Sequence, residues 1–455
     1  MTGKDLLERI NGPQGAQILE LLYGPGAVEN ERRRYVSLIE GMSPEAGFPS
    51  GFSKDAENLR IFSAPGRTEL GGNHTDHNRG RVLAASIQMD AAAVVAPRDD
   101  GMVFFRSTGF PDVVVDLKGG DSKPDLSPKP EEQGTTESLV RGIASEFSKF
   151  GVERGGFSAN ASSTVLHGSG LSSSAAIEVL FAKIFDCLYG GNSHGAVELA
   201  RISQKAENVF FGKPCGLMDQ AASACGGAVA IDFADPASPV VKQIDFDPLA
   251  AGFALCVVNT RGSHCDLTSD YAAIPQEMSA VAAFFGRSFL REIDLSQVLS
   301  AASEIRKKAG DRALLRAVHF FNEDRRAGEM AGLLEELGAA GGQSDKQALM
   351  GRFLDLVNES GDSSWELLQN IYSAGNPGEQ GLTVALAVSR EFFRRNGMKA
   401  ACRVHGGGFA GTIQAYVPAG GLDAYQAEME SLFGPGALTV LRIRPEGAVE
   451  LFADR

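Results

Sequence analysis

Residues 159–177, ANASSTVLHGSGLSSSAAI, are the stretch around which we expect the chain to be organised. Small and β-branched residues lead to Gly168 and Gly170, then to three serines and an apolar run, which predicts a strand, a glycine turn and a helix. Glycines let backbone N–H groups approach a ligand, and a helix start offers unpaired N–H donors and the positive end of the dipole. The stretch is therefore typical of a phosphate site, although a plain serine-capped helix after a turn has the same pattern.

The composition is that of a folded protein with a large core. A chain of 455 residues is long enough for two domains or for one large domain with two lobes. Its net charge of -14 argues against non-specific binding to nucleic acid or to an anionic membrane. The six scattered cysteines contain no Cys-x-x-Cys pair and are interpreted as free thiols. Since the chain shows no signal-peptide pattern and no apolar run of about 18 residues, we expect a cytoplasmic protein.

Periodicity and turn residues divide the rest of the chain into helical and extended parts. Residues 1–58 are predicted to be helical with breaks at 12–13 and 24–25, and helical periodicity dominates residues 280–393. A turn-rich segment at 232–242 is the candidate boundary between two lobes. Further helices are predicted at 136–150 and 196–208, and strands at 91–96, 103–106, 113–117, 228–233, 253–259, 401–404 and 412–417.

Residues 64–80, APGRTELGGNHTDHNRG, form a second dense group of polar residues. An arginine, two histidines and an aspartate stand in a glycine-bearing loop between two predicted strands. Such a loop can place a guanidinium on a phosphate and short polar side chains on sugar hydroxyls. The alternative is a hydrogen-bonded turn in which Asp76 and Asn78 are turn formers.

Two weaker groups follow further along the chain. Glu207 precedes the segment CGLMDQ at 215–220, whose Asp219 could act as a metal ligand or a base, although acidic residues near helix ends are often only solvated. Residues 405–412, HGGGFAGT, contain glycines that permit close backbone packing, as a strained turn would also require.

Taken together, the four segments resemble the galactokinases, within the superfamily of galactose, homoserine, mevalonate and phosphomevalonate kinases. Residues 66–80 are similar to the galactokinase signature GRVNLIGEHTDYNxG, and residues 166–176 to the phosphate loop of the superfamily. Residues 215–220 resemble CGIMDQ, and residues 406–411 resemble GGGFGG. The order and spacing agree over residues 60–417, and the Walker-type GxxxxGK[ST] pattern of ordinary P-loop proteins is missing from the sequence.

The resemblance implies an α+β fold with two lobes, which we place at residues 1–235 and 236–455, and an active site between them. It implies ATP and Mg²⁺ as cofactors, with Asp219 as catalytic base and Arg67 as the neighbouring charge stabiliser. Ser174 and Glu207 match the metal-binding positions. The remaining implied positions are Asn73, His74, Asp76, Gly216 and Tyr271 for the sugar, and Gly168, Ser169, Gly170, Leu171, Ser172, Ser173 and Ser174 for the ATP phosphates.

The implied function is the ATP-dependent phosphorylation of galactose at its anomeric hydroxyl. Asn73 replaces the usual glutamate and His77 the usual tyrosine, so a kinase for a C6-variant sugar such as galacturonate or arabinose is an alternative. Because asparagine carries no charge, we expect a looser hold on the 6-hydroxyl and broader tolerance at C6. A non-catalytic sugar or ATP sensor is the other alternative, which is disfavoured by the presence of Arg67, Ser174, Glu207 and Asp219. The expected partners are the sugar and ATP, with no nucleic acid and no membrane.

Overall fold

The computed structural model describes residues 1–42, 58–119, 125–152, 155–166, 170–262 and 267–453. The helices within these ranges are α1 Gly3–Asn11, α2 Pro13–Tyr23, α3 Val28–Glu40, α4 Thr136–Lys149, α5 Ser173–Tyr189, α6 Ala196–Lys205, α7 Met218–Cys225, α8 Thr268–Phe284, α9 Leu295–Ser300, α10 Ala302–Lys308, α11 Asp311–Ala339, α12 Gln343–Ser363, α13 Gly381–Arg395 and α14 Leu422–Phe433. Among them, none combines the length and apolar character needed to cross a bilayer.

The strands are β1 Arg60–Gly71, β2 Arg81–Arg98, β3 Met102–Ser107, β4 Val113–Asp116, β5 Gly156–Ser163, β6 Ala228–Asp232, β7 Val240–Ile244, β8 Phe253–Asn259, β9 Ala401–Val404, β10 Thr412–Pro418, β11 Leu438–Leu441 and β12 Val449–Leu451. The larger sheet has the order β12-β1-β2-β5-β3-β4, with β6 and β7 attached to β2, and the smaller has the order β11-β8-β10-β9. This mixed architecture confirms the predicted α+β class. Strands β7 and β12 belong to the larger sheet although they follow residue 235, and the lobe boundary stays a prediction.

The long antiparallel pair of β1 and β2 is buried on both faces. Successive side chains of a strand point to opposite faces, and the burial follows that period of two. Ile61 packs against the N-terminal helices, whereas its neighbour Phe62 belongs to the main core beneath α4 and α5. In β2 the alanines at 91 and 93 face the main core and Ala92 faces the N-terminal helices. Small side chains on both faces let helices pack closely on either side of the sheet.

The helices α1 to α3 confirm the helical prediction for the start of the chain, up to the last residue described there, Met42. Glycine and proline separate them as expected, with Pro13 at the first position of α2. The part of that prediction at residues 43–57 lies outside the described residues. These helices cover one face of the larger sheet through Leu6, Leu19 and Tyr35, all fully buried.

A buried carboxylate in β2, Asp90, connects these helices to the sheet. It accepts hydrogen bonds from the Tyr23 hydroxyl at 2.6 Å and from Arg34 at 2.7 Å, and also from the hydroxyl of Ser63. Arg444, close to the end of the chain, lies 3.3 Å away on the other side. Burial would raise the pKa of Asp90, but the two guanidinium groups hold it below its ordinary value. Four segments distant in sequence therefore share one buried charge.

We expect Asp90→Asn to lower the free energy of unfolding by about 3–5 kcal/mol, because the completely buried Arg444 loses its counter-charge and Arg34 keeps only Glu31. Urea denaturation followed by circular dichroism measures the change. The matched control is Glu335→Gln, which removes a carboxylate from an exposed ion pair with Lys242. That pair should contribute no more than about 1 kcal/mol. Equal effects of the two substitutions would contradict the assignment of Asp90 as a structural centre.

Candidate active site

A bidentate ion pair between Arg67 of β1 and Asp219 of α7 lies at the centre of the candidate site. The Arg67 Nε donates to Asp219 Oδ1 at 2.7 Å and its Nη2 donates to Oδ2 at 2.7 Å. The third guanidinium nitrogen, Nη1, donates to the backbone carbonyl of Gly170, just before α5. Arg67 is buried, whereas the Asp219 side chain is 30% exposed and accessible to a substrate. The pair joins the first strand, the segment before α5 and the start of α7.

The surroundings of Asp219 keep its carboxyl group ionised. Burial alone would raise its pKa, but the Arg67 charge and the hydrogen bonds from Arg67 and Ser172 lower it below its ordinary value. Oδ2 accepts hydrogen bonds from both Arg67 and the Ser172 hydroxyl, whereas Oδ1 accepts only one from Arg67 among the described residues. Each carboxylate oxygen has two lone pairs, so Oδ1 keeps one acceptor position for a further donor.

The predicted strand and helix are both found, and the glycine turn between them lies partly outside the described residues. Strand β5 ends at Ser163 and α5 begins at Ser173, while Gly168 and Ser169 lie outside the described residues. Ser172 has a φ of 61°, a left-handed conformation that is uncommon for a residue other than glycine. Its hydroxyl donates to Asp219 and does not cap α5, contrary to the simple capping interpretation. This backbone conformation brings the segment before α5, which is predicted to bind the ATP phosphates, into direct contact with Asp219.

The first turn of α5 begins immediately after this left-handed residue. Leu171 is fully buried and its carbonyl accepts from the Arg67 backbone N–H at 3.0 Å, whereas Ser173 and Ser174 are partly exposed. The N–H groups of a first helical turn have no acceptor inside the helix, so they are available to an anion. Gly170 has a φ of 71°, and a Cβ there would lie 3.2 Å from the His405 ring, so glycine suits the position for both reasons.

The predicted metal ligand Glu207 lies in a π-helical turn, Ala206–Phe211, that follows α6. Its carboxylate accepts from Lys213 Nζ at 2.8 Å and from Gln220 Nε2 at 2.8 Å. The same Gln220 nitrogen donates to Glu178, a fully buried residue of α5 whose Oε1 has no hydrogen-bond partner among the described residues. Sequence reasoning missed Glu178. Its spacing of four from Ser174, which places both on one face of α5, is the signal that could have found it.

These residues fit Mg²⁺ by their donor chemistry. Carboxylate and hydroxyl oxygens are the ligands that Mg²⁺ prefers, and it commonly uses one or two protein ligands together with phosphate and water. Within the described ranges, no group of three or more His, Cys, Asp or Glu side chains is arranged as a closed metal site. An open site completed by the phosphates of a nucleotide is consistent with that arrangement. The assignment of Ser174 and Glu207 as the ligands stays a prediction.

A cavity of about 250 Å³ opens beside the ion pair. It is lined by Arg67, Asn73, His74, Asp76, Gly216 and Asp219, which are six of the residues predicted for catalysis and sugar binding, and by Glu69. A larger cavity of about 500 Å³ near Thr260 and Ser373 contains none of the predicted residues. The smaller cavity is the candidate substrate site because it contains the Arg67–Asp219 pair and the predicted sugar residues.

The loop between β1 and β2, residues 72–80, contributes His74 and Asp76 to the lining of this cavity, and we call this segment the sugar loop. His74 donates from Nε2 to the carbonyl of Gly407 at 3.0 Å, so its Nδ1 is left as an acceptor. Burial lowers the pKa of His74 to about 4, which keeps the ring neutral. Asp76 packs against Gly216, where an added Cβ would lie 1.8 Å from Asp76 Oδ2. The glycine of the CGLMDQ segment is therefore required by the close approach of this carboxylate.

The predicted sugar residue Tyr271 lies behind the cavity and is not among the described residues that line it. Its hydroxyl donates to the carbonyl of Gly408 at 2.9 Å, and its ring would lie 2.6 Å from a Cβ on Gly407. Gly408 has a φ of 83°, and a Cβ there would lie 2.2 Å from the Asn370 carbonyl oxygen. The glycine run is thus both a strained turn and a close backbone contact.

Helix α11 holds the sugar loop from behind, a contact that sequence reasoning missed. Glu323 accepts hydrogen bonds from the backbone N–H of Gly72 at 3.0 Å and of Asn73 at 3.4 Å. One turn earlier, His319 donates to the Asn73 carbonyl at 3.0 Å. Burial would raise the pKa of Glu323, but Arg326 and other nearby cationic groups lower it to about 2. The spacing of four between His319 and Glu323 on one helix face is the available sequence signal.

Comparison with known proteins agrees with this geometry. The family model described as the GHMP kinases N terminal domain matches residues 138–227, and the galactokinase galactose-binding signature matches residues 46–97. The galactokinase of Streptomyces coelicolor is 33% identical over 388 residues, which cover 85% of this chain and 92% of that relative. The chain belongs to the galactokinase family. The human galactokinase is 30% identical over 405 residues, which cover 86% of this chain and 92% of the human protein.

Solved structures show that the galactokinase-family chain has the expected fold. The crystal structure of Lactococcus lactis galactokinase complexed with galactose superimposes with a TM-score of 0.69 at 22% identity, covering 87% of this chain and 96% of that one. The mevalonate kinase of Methanococcus jannaschii has a TM-score of 0.54 at 14% identity, covering 87% of this chain and 99% of that one. The similarity therefore extends to the wider superfamily, as the motifs predicted.

We expect Arg67→Gln to move the acid limb of the kcat/KM profile to higher pH. The substitution removes the charge that lowers the pKa of Asp219 and leaves the burial that raises it, so that pKa should rise. The substitution also lowers the maximum kcat/KM, but the pH at which the acid limb falls does not depend on that maximum. Steady-state kinetics across the acidic range measures the shift. Arg325→Gln, on an exposed ion pair with Glu329, is the matched control. An unmoved limb in Arg67→Gln would show that Arg67 does not set this pKa.

We expect Gly216→Ala to raise the KM for the sugar while the fold is retained. The new methyl group displaces the Asp76 carboxylate from the cavity wall. The loss of one charged hydrogen bond corresponds to about 1.5–3 kcal/mol, or roughly a 10- to 150-fold change in kcat/KM. The control is Gly341→Ala, an exposed position with no described atom within 4 Å of the added Cβ. A wild-type KM in Gly216→Ala would exclude Asp76 as a sugar contact.

Proposed function

We propose that this protein transfers the γ-phosphoryl group of ATP to the anomeric hydroxyl of galactose, giving galactose 1-phosphate. The observation that carries the proposal is the Arg67–Asp219 pair, which opens on a sugar-sized cavity and contacts the segment before α5. Membership of the galactokinase family supports galactose as the substrate. Neither the C6-variant kinase nor the non-catalytic sensor is favoured by these findings.

Phosphoryl transfer depends mainly on alignment and charge neutralisation, because its transition state is loose and charge accumulates on the phosphoryl oxygens. The first turn of α5 faces the phosphates with N–H donors and the positive end of the helix dipole. Bound Mg²⁺ offsets negative charge on the phosphates, and Ser174 and Glu207 are the residues that would hold it. The Arg67 guanidinium adds a fixed positive charge beside the acceptor hydroxyl.

Asp219 accepts the proton of the anomeric hydroxyl. Its lowered pKa makes it a weak base, which suffices because a loose transition state requires little nucleophile deprotonation in advance. Oδ1, the oxygen with a spare acceptor position, is the atom that takes the hydrogen bond and then the proton. Arg67 holds both carboxylate oxygens in one plane, so the acceptor direction is fixed before the sugar binds.

The cavity wall around Asp219 would orient the sugar ring. His74 presents a neutral acceptor and Asp76 a charged one, while Gly216 leaves room for the carboxylate. The backbone of the loop is held by Glu323, so these side chains start from a fixed position. The cytoplasm, where ATP is supplied, is the proposed location.

We expect Asp219→Asn to lower kcat by about 10²–10⁴-fold while ATP still binds, because the variant keeps the shape of the side chain and loses the proton acceptor. Turnover is measured by coupled ATP consumption with galactose, and nucleotide affinity by fluorescence titration. The matched control is Asp99→Asn at an exposed position, which should retain wild-type kinetics. A fall in kcat of less than about tenfold would contradict the role of Asp219 as base.

A further inference from the structure

The side chain of Asn73, predicted to bind the sugar, is fully engaged within the protein. It is 1% exposed, and its Nδ2 donates to the Gly406 carbonyl at 2.7 Å and to the Glu69 carboxylate at 3.1 and 3.2 Å. Its Oδ1 accepts from Asn370 Nδ2 at 3.0 Å. An amide nitrogen has only two hydrogens, so Asn73 has no donor left for a ligand.

Glu69 is the charged neighbour in the same cavity wall. It belongs to β1, lines the cavity and forms an ion pair with Arg403, whose side chain is completely buried. Burial raises the pKa of Glu69, and the charges of Arg403 and Arg67 act in the opposite direction. Its Oε1 accepts from both Asn73 and Arg403, whereas Oε2 accepts only from Asn73 among the described residues. Oε2 therefore keeps an acceptor position.

The two positions carry the galactokinase signature in exchanged form. In GRVNLIGEHTDYNxG an amide stands two residues after the arginine and a carboxylate four residues after that amide. In this chain the carboxylate is Glu69 and the amide is Asn73. In this chain the two side chains are hydrogen-bonded to each other. The pair contains one carboxylate and one amide, as the signature does, with the carboxylate at the other of the two positions.

We propose that Glu69 is the specificity-determining residue that accepts a hydrogen bond from the sugar's 6-hydroxyl, and that Asn73, whose amide is engaged within the protein, does not contact the sugar. Arg67 and Glu69 point to the same face of β1 and lie about 6–7 Å apart along the strand. That separation is comparable to the width of a hexose ring. Because Asp219 is held against Arg67, a sugar whose anomeric oxygen lies beside that pair can reach Glu69 with its far end. The proposal rests on the function proposed above.

This assignment reverses the expectation of broad tolerance at C6, which assumed that Asn73 leaves the cavity wall without a carboxylate. With Glu69 in place, a sugar that lacks the 6-hydroxyl leaves a buried carboxylate oxygen without its donor. Hydrogen bonds to charged groups are worth about 1.5–3 kcal/mol, so wild type should prefer galactose over 6-deoxygalactose by roughly 10- to 150-fold in kcat/KM. A carboxylate at C6 should be rejected by like-charge repulsion.

The test is the ratio of kcat/KM for galactose over 6-deoxygalactose in wild type, Glu69→Gln, Asn73→Ala and the double exchange Glu69→Asn with Asn73→Glu. A ratio taken within one preparation cancels any inactive fraction. We expect Glu69→Gln to lower the ratio at least fivefold through KM, and Asn73→Ala to keep it within about threefold of wild type. The double exchange should keep the ratio as well, because one carboxylate again faces Arg403. Where turnover is too slow, calorimetric affinities for the two sugars give the same ratio.

A wild-type ratio in Glu69→Gln, or a collapse of the ratio in Asn73→Ala to the value of Glu69→Gln, would overturn the proposal. So would a double exchange that discriminates no better than Glu69→Gln. These outcomes leave the proposed function intact, since they presuppose turnover of galactose. A wild-type protein that phosphorylates neither sugar would overturn both.

Discussion

The ion pair between Arg67 and Asp219 is the constraint on which the site depends. Its partners are 152 residues apart in sequence, and their bidentate contact fixes the start of α7 against β1. A buried ion pair contributes little net stability, because desolvation of the two charges offsets most of their attraction. Its presence on the wall of a cavity, with the Asp219 side chain partly exposed, is therefore better explained by chemistry than by stability. The hydrogen bonds from Ser172 to Asp219 and from Arg67 to Gly170 then hold the segment before α5 against the same ion pair.

The local elements could largely be predicted from the sequence. The strand and helix around residues 159–177, the helices broken by Gly12 and Gly24, and the strand at 253–259 follow from periodicity and turn chemistry. The motifs also predicted the family, the α+β fold and the use of ATP with Mg²⁺, which the comparisons confirm. Such signals are encoded in residues close together in the chain, so a single sequence contains them.

The connections between elements could not be predicted in this way. The sequence predicted that a serine caps α5. Ser172 does not cap it, because its left-handed backbone directs the hydroxyl to Asp219. The support of the sugar loop by Glu323 joins residues about 250 apart, and nothing in a helical periodicity shows which neighbour a helix will have. Glu69 was overlooked for a related reason. A carboxylate at that position has meaning only once its contact with Asn73 is known.

The hydrogen bond between Asn73 and Glu69 also determines which substitutions at these two positions the cavity tolerates. Arg403 is completely buried, and its charge is balanced by one carboxylate of this pair. A chain altered at only one of the two positions would place either two acidic groups or none against that arginine. Both intermediates are worse than either end state, which makes the two substitutions interdependent. A comparison that scores positions one at a time counts two departures from the signature. In the folded molecule they amount to a single coupled change, because the two side chains are hydrogen-bonded.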